Sequence, residues 1–303
     1  MTTSTLPAPA QKHSWLVGVA WIAMLLMSRL PQIVLKEFFA SETAFVWTWL
    51  GVAAALLTMT WLWPALQPLR GYLLIMAVMA LVTGPFDGLL RASTLWTSWF
   101  SQERDWSISF LGERLPVVIE ALLLMLLLVS LGMKRQDFFL AVGKLRAAAV
   151  GLRLPGIGNA WLLVGPFLAL LLTLFFFFGT AAMTGAQLAS LLRLLPWLPA
   201  ILLFAVMNAF GEEVVYRAAP LSQLWQVVGA RQAVWLTAVW FGLGHYYGGI
   251  PNGPIGALLS GGIALLYGKA MVETRGLVLP TVMHMVTDVA IYLFLALAAL
   301  EGV

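Results

Sequence analysis

Long stretches of apolar residues, broken by short clusters of charge, proline and glycine, dominate the chain from residue 15 onward. A bilayer-spanning helix needs about 20 predominantly apolar residues. Segments of that length fall at roughly 15–35, 44–63, 72–90, 115–133, 160–178, 194–216, 232–247, 255–271 and 277–299. Leu122 to Val129 and Leu168 to Phe178 are nearly pure hydrocarbon. The pattern predicts an all-α, polytopic membrane bundle of eight or nine transmembrane helices. It divides into a polar tail (1–14), N-terminal scaffold helices (15–155) and a C-terminal helical core (156–303). Ser28, Arg29 and Pro31 stand where a signal peptide would carry small residues, so the first segment reads as a retained helix.

Composition agrees with the pattern. Hydrophobic residues make up 61% and charged residues only 10%, against about 25% charged in soluble domains. The surplus apolar surface must face lipid. A net charge of +4, dispersed along the chain, excludes a nucleic-acid partner. The absence of Cys excludes disulfides, thiol catalysis and cysteine-ligated metals. Lys12, Arg70, Lys134, Arg135, Lys144, Arg146, Arg153, Arg217, Arg231, Lys269 and Arg275 fall on one set of alternating loops; Arg29, Lys36, Arg91, Arg104, Arg114 and Arg193 fall on the other, sparser set. This imbalance predicts a cytoplasmic N-terminus; the expected location of the multi-pass chain is the cytoplasmic membrane of a prokaryote. Lys134 to Arg153 then forms a basic cytoplasmic connector, and Trp96 to Trp106 an interfacial segment. Gly-rich Leu259-Ser-Gly-Gly262 predicts close helix packing.

Charged groups inside apolar helices cost about 2.5–3.5 kcal/mol or more and so mark functional positions. They concentrate in the last third: Asn208-Ala-Phe-Gly-Glu212-Glu213-Val-Val-Tyr-Arg217, then Phe241-x-x-x-His245, then His284-x-x-x-Asp288. Residues four apart share a helix face, so Glu213 is expected to pair with Arg217 and His284 to face Asp288, with Phe241 packed on His245. Glu212 points about 100° away from Glu213 and has no intrahelical cation, which leaves it as the carboxylate able to take a proton from water. If the chain turns at Gly229, Glu212 and His245 both lie about 25 Å from the turn, with Pro220 expected to kink the first leg. Glu120, Asp87, Arg91 and Arg29 lack such a constellation and read as interhelical or interfacial charges.

The three ordered motifs resemble the CPBP family of intramembrane glutamic endopeptidases, which includes the CAAX prenyl endopeptidases and bacteriocin-processing proteins. The resemblance covers residues 190–300. It implies an intramembrane endopeptidase in which Glu212 and His245 activate water, His284 and Asp288 form the oxyanion side, Glu213 and Arg217 make an orienting pair, and Asn208 and Phe241 give support. An ionised Asp288 cannot donate to an oxyanion; it either accepts from His284 and orients it or, protonated, donates directly. The implied substrate is a membrane-associated protein or peptide, with no cofactor. Zinc held by Glu212, His245 and His284 is the minor alternative, since the H-E-x-x-H signature is missing. A non-proteolytic immunity factor, scaffold or small transporter is the alternative of another class.

Overall fold

A computed structural model describes residues 14–40, 46–101, 105–185 and 188–301. The expected polar tail 1–14 lies, up to residue 13, outside the described residues, as do 102–104 of the tryptophan-rich segment. The elements in chain order are α1 (Ser14–Met27), α2 (Leu30–Phe39), α3 (Val46–Leu62), a 3-10 segment (Pro64–Leu69), α4 (Arg70–Leu81), a π-helical turn (Val82–Phe86), α5 (Asp87–Ala92), α6 (Thr94–Phe100) and α7 (Trp106–Ser130). After an irregular connector come α8 (Trp161–Thr184), a second 3-10 segment (Leu188–Trp197), α9 (Leu198–Glu213), a second π turn (Val214–Ala218), α10 (Ala219–Val228), α11 (Ala230–Gly244), α12 (Pro254–Thr274) and α13 (Val278–Glu301). Among the described residues there is no strand, and the fold is all-helical.

Among the described residues, five helical stretches are long and apolar enough to cross a membrane: Pro64–Ala92, Trp161–Met183, Ala189–Val228, Pro254–Thr274 and Val278–Leu300. Trp15–Met27 and Leu30–Phe39, bent by 54°, make a sixth if they form one span. The count of eight or nine expected from hydropathy is therefore not reproduced by length and composition, for physical reasons. α11 has 15 residues and α3 has 17, and α7 carries Glu113, Arg114 and Glu120 within its apolar run.

The chain forms two compact units, each built from two separate stretches. The first combines residues up to Ala80 with Pro220–Leu265. Here α1 packs on α2, α3 and α11, and Trp21 Nε1 donates to Gln232 Oε1 at 3.1 Å. Arg70 closes the α3–α4 corner by donating to Thr60 O at 2.8 Å, with its guanidinium 4.0 Å from the Trp61 ring centre. Gly229, with φ of 83°, is the single residue between α10 and α11. A side chain at Gly242 would meet Ala257 O and Gly261 Cα; the glycines of 259–262 thus bring α12 against α11 backbone to backbone.

The second unit joins Leu81–Ala219 to the chain from Leu266 onward. α13 is its centre, packed on α8, α9 and the 188–197 segment, while α7 packs on α9. Phe110, Ile201, Phe204, Tyr292, Ala296 and Leu297 form a buried cluster, stitched by edge-to-face contacts of Phe110 with Phe204 (5.3 Å) and with Tyr292 (4.9 Å). Such ring pairs each add about 0.5–1.5 kcal/mol beyond area burial. The opposite side of the unit is apolar and open: Leu163, Leu170, Phe175 and Phe178 of α8 are each more than half exposed, as suits a lipid-facing surface. The connector between α7 and α8 hangs from the α12–α13 junction. Lys144 N donates to Thr274 O (2.6 Å) and Leu277 N to Ala141 O (3.0 Å), while Glu273 Oε2 accepts from Trp161 Nε1 (2.8 Å) and Val150 N (3.2 Å).

Candidate active site

The polar residues of the second unit meet where α9, its following π turn, α13 and α7 come together. Pro220 lacks an N–H, and its ring would crowd the carbonyl of Tyr216 in a regular helix. The π turn at Val214–Ala218 widens the helix over that carbonyl; such turns recur at functional sites. Helix thus continues through the proline, and Ala189–Val228 runs as one 40-residue stretch.

Glu213 and Arg217 stand at the α-to-π junction, both with fully buried side chains, and Arg217 Nη1 donates to Glu213 Oε1 at 2.6 Å. The same Oε1 lies 2.9 Å from His284 Nδ1. A carboxylate oxygen only accepts, so Nδ1 carries the proton and Nε2 is the ring atom presented to the rest of the site. Two further carboxylates face Nε2: Glu212 Oε2 at 3.6 Å and Asp288 Oδ1 at 3.5 Å. These are electrostatic distances, too long for good hydrogen bonds. Glu212 and Glu213 therefore act on opposite nitrogens of one imidazole. The hydrogen bond that orients His284 comes from Glu213 on α9 and not from Asp288 four residues along its own helix. Tyr267 braces the arrangement: its ring lies 5.5 Å from that of His284 and 5.4 Å from the Arg217 guanidinium, and its hydroxyl donates to Met283 O at 3.3 Å.

Asp288 is held from the other side. Asn208 Nδ2 donates to Asp288 Oδ2 at 3.0 Å, and Asn208 Oδ1 accepts from Arg114 Nη1 at 2.9 Å. The same Nη1 reaches Tyr292 Oη at 3.2 Å. Neither Arg114 nor Tyr292 was singled out by sequence. Arg114 counts there as a loop charge in a scaffold region, and Tyr292 as one more apolar position of α13. The available signal was the spacing of Tyr292 four residues after Asp288, which puts both on one face. Close approach of α7 depends on Gly211, where an added Cβ would lie 3.0 Å from Val117 Cγ2 and 3.2 Å from the Val117 backbone carbon.

Phe241 and His245 lie in the first unit, at the end of α11. His245 Nδ1 is 2.9 Å from Phe241 O, and the two ring centres are 4.2 Å apart. A carbonyl only accepts, so Nδ1 carries the proton that it donates to Phe241 O. Asp87 and Arg91 form an exposed pair at 2.8 Å. Among the described residues, no three His, Asp or Glu side chains are grouped to hold a metal ion.

Residues 194–290 match the family model of the Rce1-like proteins, described as type II CAAX prenyl endopeptidase Rce1-like. This stretch is similar to the Rce1-like family. It covers roughly a third of the chain and contains all three motifs. No curated protein and no solved structure matches the chain. The Rce1-like domain and the apolar helices together support an intramembrane protease at the family level and an integral membrane location.

Proposed function

We propose that the protein is a glutamic-type intramembrane endopeptidase that hydrolyses a peptide bond of a membrane-associated protein or peptide without a metal. The observation that carries this reading is the division of labour around His284: Glu213 occupies Nδ1 at 2.9 Å while Glu212 stands 3.6 Å from Nε2. Glu212 takes a proton from water as the oxygen attacks the scissile carbonyl, and passes that proton to the leaving amine when the tetrahedral intermediate collapses. His284, protonated at both nitrogens, donates from Nε2 to the oxyanion. Arg217 and Glu213 keep the ring from turning. Asp288 balances the imidazolium charge at 3.5 Å and aligns the ring edge. His245 joins the water-activating set on the strength of its motif, Phe241-x-x-x-His245. The N-terminus is placed in the cytoplasm, supported by the imbalance of Lys and Arg between loops, and the proposed location is a prokaryotic inner membrane.

The test is comparative mapping of membrane-protein termini in cells carrying wild type or Glu212→Gln, followed by cleavage of the identified substrate by purified protein with and without chelator. New termini are expected only with wild type, and chelator should leave the rate unchanged. Termini that persist with Glu212→Gln refute Glu212 as the base. Activity abolished by chelator and restored by zinc favours the zinc hydrolase, and biological function retained by Glu212→Gln favours a scaffold.

A further inference from the structure

α7 enters the site through a single cation. Arg114 is three-quarters buried, with 24% of its side chain exposed, and its guanidinium lies 4.7 Å from the Phe110 ring centre and 5.8 Å from that of Tyr292. Nη1 donates to Asn208 Oδ1 and to Tyr292 Oη, and Nη2 lies 3.5 Å from Glu113 Oε2. Asn208 is buried between this donor and a carboxylate, with its oxygen towards Arg114 and its nitrogen towards Asp288. A guanidinium can only donate, and an ionised carboxylate can only accept. An Asn208 amide turned by 180° would set NH2 against the guanidinium and C=O against the carboxylate, losing both bonds and adding two repulsions.

We propose that Arg114 is a positioning residue for the hydrolytic reaction: it locks the Asn208 amide in the one orientation that donates to Asp288, and so fixes the carboxylate beside His284 Nε2. This inference rests on the endopeptidase reading and extends the working parts of the site to a helix outside the Rce1-like stretch. The chain of contacts is Arg114 Nη1 to Asn208 Oδ1, Asn208 Nδ2 to Asp288 Oδ2, and Asp288 Oδ1 facing His284 Nε2. With Oδ2 held by the amide, Oδ1 faces the imidazole. Without Arg114, Asn208 keeps only the carboxylate as a guide to its orientation, and the donor to Asp288 is no longer held from its far side.

The experiment compares wild type, Arg114→Met, Arg114→Lys, Asn208→Leu and the double variant Arg114→Met/Asn208→Leu in one cleavage assay, with Glu212→Gln as the inactive reference. Arg114→Met should lower kcat by about 10- to 100-fold, the scale of a misplaced reacting group, with KM within twofold. Arg114→Lys, which keeps one donor, should recover most of that loss. The double variant should lose no more than the worse single variant, since both act on the same amide. Unchanged kcat in Arg114→Met, a loss confined to KM, or multiplied losses in the double variant would overturn the proposal. Isotope-edited infrared spectra, with the Asp288 carboxylate band assigned by Asp288→Asn, give a readout independent of turnover. The band in Arg114→Met should move towards its position in Asn208→Leu, and an unmoved band overturns the proposal whatever the activity. An inactive wild type, or a Glu212→Gln variant as active as wild type, instead refutes the endopeptidase reading, and the infrared comparison still decides the role of Arg114.

Discussion

Replacing Arg217 with Met removes the only charge-bearing group of a fully buried side chain while keeping a stem of similar shape. Glu213, also fully buried, would lose its 2.6 Å partner and keep His284 Nδ1 at 2.9 Å. Removing one member of a buried ion pair costs about 3–5 kcal/mol, because the charge left behind has given up its hydration without compensation. The surviving imidazole contact puts the expected loss at the lower end, about 3 kcal/mol, or a fall in Tm of about 5 °C for a chain of this size. Thermal unfolding of the purified protein in detergent, followed by intrinsic tryptophan fluorescence, measures it. The double variant Glu213→Leu/Arg217→Met discriminates causes. Replacing both partners by apolar groups is close to neutral for stability, so Tm should recover most of the fall seen in the single variant. Activity should stay lost, because His284 no longer has an acceptor for Nδ1. An Arg217→Met protein that unfolds at the wild-type temperature would refute the buried pair as a stabilising unit. An active double variant would refute the orienting role of Glu213.

Three other outcomes follow from the geometry. Asp288→Asn should retain measurable kcat, since an amide can accept from Asn208 through its oxygen and donate towards the oxyanion through its nitrogen, whereas Asp288→Leu should abolish turnover; equal rates for the two would remove any polar role for this position. Gly211→Val should cost about 1–3 kcal/mol by overpacking against Val117 and lower kcat by pushing Arg114 away from Asn208, read as a lower Tm together with slower cleavage. Glu273→Ala should free the connector by removing the acceptor for Trp161 Nε1 and Val150 N, seen as faster limited proteolysis between Lys144 and Arg153, with undiminished protection counting against the role of Glu273.

The helical class and the last-third location of the site follow from composition and from charges placed in apolar runs, because both depend on residue type alone. Within-helix pairs are equally legible: Glu213 with Arg217 and Phe241 with His245 follow from i, i+4 spacing. Contacts between helices are not. That spacing assigns Asp288 as the group orienting His284, while the closest partner of the ring, Glu213, is 71 positions away in sequence and reaches it only because α9 packs on α13. Arg114 shows the same limit from the other side. Counted by position along the chain it is a loop cation that sets topology, and only the packing of α7 on Gly211 turns it inward. The number of spans is not fixed by composition alone: hydropathy marks 115–133 as a span, while Glu113, Arg114 and Glu120 keep α7 as a whole from counting as one by length and apolarity. The extension of helix through Pro220 was hidden as well, because a π turn leaves no hydrophobic period to read.

The connector's attachment has a mechanical consequence. Leu277, the last residue before α13, is tied through its amide to Ala141, and His284 lies seven residues further on, about 10 Å along a rigid helix. The height of the imidazole above its glutamates is thus set at an anchor point two turns away, in a loop that takes no part in the chemistry. A force or a binding partner that tugged on residues 141–150 would therefore pull on α13 at its first turn, and α13 would carry that pull towards Nε2 against the packing of α8 and α9.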